Sequence, residues 1–250
     1  MGQKSQFLAD KPIVELDEID STNNYAMRLI DADTAQDGLV ITAQRQSAGK
    51  GQRGRKWQGG DNESLLMSII IKPKWKIDDQ FLLCAAAAIS VIQALEAMAI
   101  DEDMKIKWTN DIIINDKKTG GILIENVLRG GEWNYAVIGI GLNVAQTEFA
   151  LELPYAASLK TISGKTVDIP MLRDEIRYHF FKNTETGADE IMRCYNEYLF
   201  RKNEWQEFAN EEGSRQAQVL EVHRNGKLKV REASGEEVFY THGELHWQWK

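Results

Sequence analysis

Hydrophobic and polar positions along the chain fall into blocks whose period changes several times. Leu39-Val40-Ile41-Thr42-Ala43 and Leu65-Leu66-Met67-Ser68-Ile69-Ile70-Ile71 are short apolar runs bounded by turn residues, and Pro73 closes the second. Such runs read as strands, and one without polar alternation has both faces covered. From Phe81 to Ile100 the period becomes helical, with Asp78-Asp79 ahead of it and Cys84 followed by four alanines within it. Alanine favours helix and allows close packing on a sheet. Ser90, Gln93 and Glu96 make this a buried amphipathic helix and not a membrane span. Lys105–Trp108, Ile112–Ile114, Gly120–Glu125 and Trp133–Ile138 then read as strands joined by tight turns, Asn115-Asp116-Lys117-Lys118 and Gly130-Gly131 among them. Ile13–Leu16 is a further strand. Tyr25–Ile30 is a helix with Ser21 or Thr22 as its N-cap. Helices are also expected over Ile169–Phe181, with Pro170 in the first turn, and over Ala188–Phe200.

After about Trp205 the alternation returns to period two: Val219, Val222, Leu228, Val230, Val238, Tyr240, Leu245, Trp247 and Trp249, with Asn225-Gly226 as a hairpin turn. Hairpin strands with inserted helices predict an α+β fold, a mixed, mainly antiparallel sheet with helices on one face, over residues 1–205. The short strands of 206–250 predict a small SH3-like β-barrel domain.

Composition narrows the function. Of 250 residues, 43% are hydrophobic and 27% charged, enough apolar surface for a sizeable core. The net charge of -8 argues against bulk electrostatic binding of nucleic acid. Two cysteines, Cys84 and Cys194, make neither a disulfide framework nor a metal knuckle, so buried thiols in a reducing cytoplasm are expected. The polar start, Met1 to Pro12, does not read as a signal peptide. His242 and His246 are four apart, but the surrounding alternation is that of a strand, which separates them by roughly 13 Å.

Four polar islands interrupt the apolar blocks. Ser21-Thr22-Asn23 opens a helix. Gly49-Lys50-Gly51-Gln52-Arg53-Gly54-Arg55-Lys56-Trp57, reached through Gln46, gathers three glycines, four cations and one large aromatic without an acid. Arginine suits phosphate and carboxylate, and an indole can cover a flat ring. The spacing is not that of a P-loop, and on composition alone a solvated basic loop is as good a reading. The third island is Lys107-Trp108-Thr109-Asn110-Asp111 with Lys118-Thr119-Gly120-Gly121. The fourth is Gly141-Leu142-Asn143. Singly, each is explained by a cap, a turn, a solvated lysine or a packing glycine.

In order, from about Asp20 to Val144, the islands resemble the biotin protein ligases (biotin–[acetyl-CoA-carboxylase] ligases). The resemblance implies a two-step, ATP- and Mg2+-dependent reaction. Biotin and ATP give biotinyl-5′-AMP and pyrophosphate, and the biotinyl group then passes to a lysine of a biotin carboxyl carrier domain. It implies a biotin pocket of Ser21, Thr22, Asn23, Gln46, Lys50, Gly51, Gln52, Lys118, Gly120 and Gly121. It puts Arg53, Arg55, Trp57, Asn110 and Asn143 on the nucleotide, Asp111 on the metal, and Lys118, Arg53 and Arg55 in catalysis. Lys50 and Gln52 stand where arginines are frequent, and Thr109 where proline is common. With the first catalytic strand expected near Ile13, the resemblance is to the form without an N-terminal DNA-binding domain: cytoplasmic, without specific DNA or membrane binding, and possibly homodimeric. A lipoate or octanoyl ligase or transferase of the same fold is the alternative.

Overall fold

The computed structural model describes residues 3–210 and 213–248; Trp249 lies outside them. The elements in order are α1 (Gln3–Phe7), β1 (Ile13–Ile19), α2 (Thr22–Asp31), β2 (Val40–Gln46), β3 (Ser64–Ile71), α3 (Phe81–Ala97), β4 (Met104–Lys107), β5 (Asp111–Ile114), β6 (Lys117–Arg129), β7 (Glu132–Asn143), α4 (Leu159–Ser163), α5 (Ile169–Asn183) and α6 (Ala188–Glu197). Five strands follow: β8 (Trp205–Asn210), β9 (Gly213–Val222), β10 (Leu228–Glu232), β11 (Glu237–Tyr240) and β12 (His246–Trp247).

Seven strands make one mixed sheet in the order β1-β2-β3-β7-β6-β5-β4. Only β1 and β2 run parallel; every other neighbour is antiparallel. Every residue of β3 is buried, as its unbroken apolar run predicts. Asn115 and Asp116, both with positive φ, make the β5–β6 turn. Lys117 and Lys118, expected in that turn, are already on the strand.

The expectation of helices on one face holds for α3, α5 and α6 but not for α2. Val40, Ile69, Ile71 and Ile138 point into the large core with α3, α5 and α6. The opposite face carries Ile41, Ile70 and Val137, which pack on Ala26 and Ile30 of α2. That helix is too short to cover its face, and the remainder forms the floor of a cavity. In α3 only Gln93, Glu96 and Ala97 escape burial, so it is enclosed nearly all round and not amphipathic. The span Ile77–Ala97 is long and apolar enough to cross a membrane, but it forms the centre of the core.

The C-terminal strands form an antiparallel sheet in the order β11-β10-β9-β8-β12. No strand pairing joins its edges β11 and β12 among the described residues, so a closed barrel is not formed by these hydrogen bonds. Phe208, Val219, Val222 and Val230 of this sheet belong to the same apolar cluster as α3 and α6.

Candidate active site

A cavity of about 540 Å³ opens on the α2 face of the large sheet. Its lining includes the cations Lys50, Arg53, Arg55, Lys56, Lys107 and Lys118 but a single carboxylate, Asp111. Such a surplus in one concave space suits an anionic ligand.

The floor lies at the start of α2. Ser21 takes the N-cap position, but its side chain makes no capping bond. Instead Gln46, at the end of β2, accepts from the Thr22 backbone N–H at 2.7 Å, replacing the cap expected of a serine or threonine. The Thr22 hydroxyl donates to the same oxygen at 3.1 Å. From β3, Ser68 donates to Asn23 Oδ1 at 2.6 Å and lies 2.7 Å from the Thr22 hydroxyl. Asn23 in turn donates to Glu125 Oε2 at 2.8 Å. Thr22, Asn23 and Ser68 are almost wholly buried. A buried polar network in which each member has a partner is rigid, because a lost partner costs desolvation.

Lys118 reaches the cavity because of one extra residue. Opposite β5, β6 is in register at Gly120 and Gly121 but shifts by one between Ile112 and Ile113, so Ile113 faces Lys118. In unbroken alternation Lys118 would share the face of Gly120, towards α3. The bulge at Thr119 turns it to the face of Asp111, and its ammonium sits 2.6 Å from Asp111 Oδ1. The Lys118 backbone is held as well, its N–H by the Tyr155 carbonyl (2.7 Å) and its carbonyl by the Ala157 N–H (3.0 Å).

Gly49–Trp57 folds back on itself as a small arch. Lys50 bridges Lys56, and Gly51 N–H donates to the Arg55 carbonyl (2.7 Å). Trp57 N–H donates to the Gly49 carbonyl (2.9 Å). Lys50 pairs with Glu125 at 3.2 Å. The Trp57 indole lies against Gly141, where a Cβ would stand 2.5 Å from its ring, and its buried N–H has no acceptor among the described residues.

The structure gathers Ser21, Thr22, Asn23, Gln46, Lys50, Gly51, Gln52, Arg53, Arg55, Trp57, Asn110, Asp111, Lys118, Gly121 and Asn143 around one cavity. Gly120 is the exception. It faces the other side of the sheet, where a Cβ would meet Leu142 at 2.7 Å, so it is a packing glycine. Asn110 and Asn143 line the space while also serving the scaffold. Asn110 donates to the Ile122 carbonyl at 2.6 Å, and Asn143 to the Ala157 carbonyl at 3.1 Å. The Trp108–Thr109 peptide is cis, and the Thr109 carbonyl accepts from Tyr195 at 2.9 Å.

Sequence reasoning left out Ser68, Glu125 and a whole wall. Serine inside an apolar strand was the available signal for Ser68. The wall is the segment from His242 to Gln248, which contributes His242, Gly243, Leu245 and Trp247. The His242 ring meets Trp108 edge-on at 5.9 Å, and burial, then the charge of Arg53, holds its pKa below the usual imidazole value. Burial likewise lowers the Lys107 ammonium, and Asp111 opposes it. Away from the cavity's chemistry, burial pushes the Cys84 thiol up to about 12. Among the described residues no three His, Cys, Asp or Glu side chains cluster as a metal site.

Comparison with known proteins gives this arrangement a relationship. The sequence profile of the biotin/lipoate A/B protein ligase family matches residues 16–143, half of the chain. The chain belongs to this family. The bifunctional ligase/repressor BirA of Bacillus spizizenii is 37% identical over 171 residues, covering 67% of this chain and 51% of that protein. The biotin–[acetyl-CoA-carboxylase] ligase of Paracoccus denitrificans is 31% identical over 149 residues, 59% of this chain and 61% of that one. The chain thus spans about half the length of the curated relatives it matches first. The biotin protein ligase from Aquifex aeolicus in complex with biotin and ATP superposes with a TM-score of 0.80 and 26% identity, covering 96% of this chain and all of that one. In this biotin/lipoate ligase family member the matched stretch contains the floor, the arch and Lys118; the His242–Gln248 wall lies beyond it.

Proposed function

We propose that the protein is a biotin protein ligase that activates biotin with ATP and transfers it to a lysine of a biotin carboxyl carrier domain. The observation that carries the reading is a hydrogen-bonding floor of Thr22, Asn23 and Gln46 beside a cationic arch and Lys118, in one cavity. The biotin and ATP of the Aquifex aeolicus complex favour biotin over lipoate within the family. Residues 1–205 would be the catalytic part and 206–250 the appended module, acting in the cytoplasm, where unbridged Cys84 and Cys194 are at home.

In the first step an oxygen of the biotin carboxylate bonds to the α-phosphorus and pyrophosphate leaves. Two anions must meet, so cations and N–H donors have to be in place beforehand. Lys50, Arg53, Arg55 and Lys118 supply them, while the floor fixes the bicyclic end of biotin and Trp57 covers the adenine. Held by Asp111 and by its bulged strand, Lys118 meets the gathering charge without reorganising. In the second step the carrier amine attacks the acyl carbon, AMP departs, and the amine gives up a proton. Asp111, the single carboxylate of the lining, fits Mg2+ held chiefly by substrate phosphates, and the ion would offset their charge.

ATP–pyrophosphate exchange tests the reading. Exchange should require biotin and be absent with lipoate. Exchange with lipoate alone would replace biotin ligase by the lipoate alternative.

A further inference from the structure

The turn between β4 and β5 brings Asn110 and Asp111 to the cavity, and Asp111 in turn holds the Lys118 ammonium. What holds the turn lies behind it, in the core. On α6, the Tyr195 hydroxyl donates to the Thr109 carbonyl at 2.9 Å. Thr109 is buried, and its own hydroxyl donates to Asn110 Oδ1 at 3.1 Å. The Asn110 side chain donates to the Ile122 carbonyl at 2.6 Å, and the Ile122 N–H returns to the Asn110 carbonyl at 3.0 Å. The Thr109 carbonyl is thus where the core takes hold of the site. Its other partner among the described residues is the Cys84 thiol at 3.5 Å, a weak donor.

The donor itself is fixed. Tyr195 is wholly buried, with its ring edge-on to Phe81 at 5.2 Å. Burial, then Cys84 and Asp111, push its pKa well above the ordinary phenol value, so the hydroxyl keeps its proton. Asn196, next to it, donates to the Val222 carbonyl at 2.9 Å and accepts from the Val222 N–H at 2.7 Å. Just beyond the helix, the Ile106 N–H donates to the Tyr198 carbonyl (2.7 Å) and the Phe200 N–H to the Ile106 carbonyl (2.9 Å). Residues 195–200 are therefore bonded to β9 on one side and to β4 on the other. A phenylalanine would fill the same apolar space, and a buried hydroxyl costs desolvation unless it is bonded. Packing alone does not call for the oxygen; the Thr109 carbonyl does.

We propose that Tyr195 is a positioning residue for the reaction: through the Thr109 carbonyl it fixes the turn that presents Asn110 and Asp111, and with Asp111 the ammonium of Lys118. Tyr195 does not itself line the cavity. The inference rests on the reading above, in which nucleotide and metal are met at this turn. The floor is built from other bonds, to Gln46, Ser68 and Glu125, and none of these runs to the turn. Loss of the hydroxyl therefore acts on the chemistry and not on the capture of biotin.

Tyr195→Phe tests this, because it keeps the packed ring and removes only the donor. Single-turnover formation of biotinyl-AMP should slow by about tenfold, less than the roughly hundredfold that a misplacement of ~1 Å costs. Biotin affinity, titrated without ATP, should stay within about twofold of the wild type, since no bond of the floor is lost. Ile191→Val is the control. Ile191 is also buried in α6, so the variant loses comparable stability without touching the carbonyl, and it should adenylate like the wild type. In the ligand-free full chain, hydrogen exchange of the Ile122 amide should speed by about two- to tenfold in Tyr195→Phe, the effect of one lost hydrogen bond, while the Thr22 amide of the floor is unchanged. Wild-type adenylation by Tyr195→Phe overturns the proposal. So does equal slowing by Ile191→Val, or a biotin affinity that falls as far as the rate. Should the wild-type protein form no biotinyl-AMP, the biotin reading fails by itself, and the Ile122 amide decides whether Tyr195 holds the turn: unchanged exchange there overturns it.

Discussion

The floor and the arch of the cavity hold their polar groups in opposite ways. Thr22, Asn23 and Ser68 are buried, and each is bonded to another side chain fixed by the sheet. The arch is mostly exposed, bonds chiefly to its own backbone, and is tied outward at Lys50 and Arg53. A group that recognises shape gains from being fixed, since its ordering is complete before the ligand comes. A group that must admit a ligand and then exclude water cannot be fixed so firmly. On the function proposed above the two halves would divide selection from enclosure, with Lys118, bonded to Asp111 but charged like the arch, between them.

Four substitutions would break or sharpen that division. The largest effect belongs to Lys118→Ala. Loss of one preorganised donor costs about 10²–10³ in rate, so single-turnover formation of biotinyl-AMP should fall by that factor while the melting curve barely moves. Near-wild-type adenylation by a folded variant would reduce Lys118 to a solvated lysine. Ser68→Ala comes next. It strips Asn23 Oδ1 of its buried donor and should lower stability by about 1–3 kcal/mol in urea unfolding. No change in the midpoint would mean that the floor is not the rigid half. Trp57→Ala acts on the arch and should weaken nucleotide binding by about 1–3 kcal/mol, as for other base-stacking aromatics. Calorimetric titration with an ATP analogue carrying a methylene bridge between the α- and β-phosphates, which cannot release pyrophosphate, reads this, and unchanged affinity removes the indole from the adenine. The smallest effect is that of Lys50→Ala on folding. Its pair with Glu125 is 41% and 28% exposed, so thermal unfolding should register less than about 1 kcal/mol. A larger loss would show an arch as deeply built in as the floor.

Periodicity carried the fold a long way. The unbroken run of β3 announced a strand covered on both sides, and Asn115-Asp116 announced a hairpin. Apolar pattern alone did not reveal that α2 would lie across the sheet from α3, because the pattern marks a buried face but not its partner. The exit point of Lys118 was hidden for a related reason: a bulge shifts alternation by one residue, and Thr119 has no composition that marks it as extra. Resemblance named residues of the arch and the floor that line the cavity. It did not name Ser68 or Glu125, whose side chains bond to those residues, or the His242–Gln248 wall, whose place depends on how a distant module docks. Of Gly120 and Gly121, either of which the motif could offer through its backbone, it is Gly121 that lines the cavity.

Gly139 and Gly141 occupy one face of β7, two residues apart, and each fills its gap with a side chain from elsewhere: Asn23 over the first, the Trp57 indole over the second. The chamber is in that sense carved by subtraction. At these two positions its shape is set by what the strand lacks, and a side chain added at either would take the space that Asn23 or Trp57 now occupies.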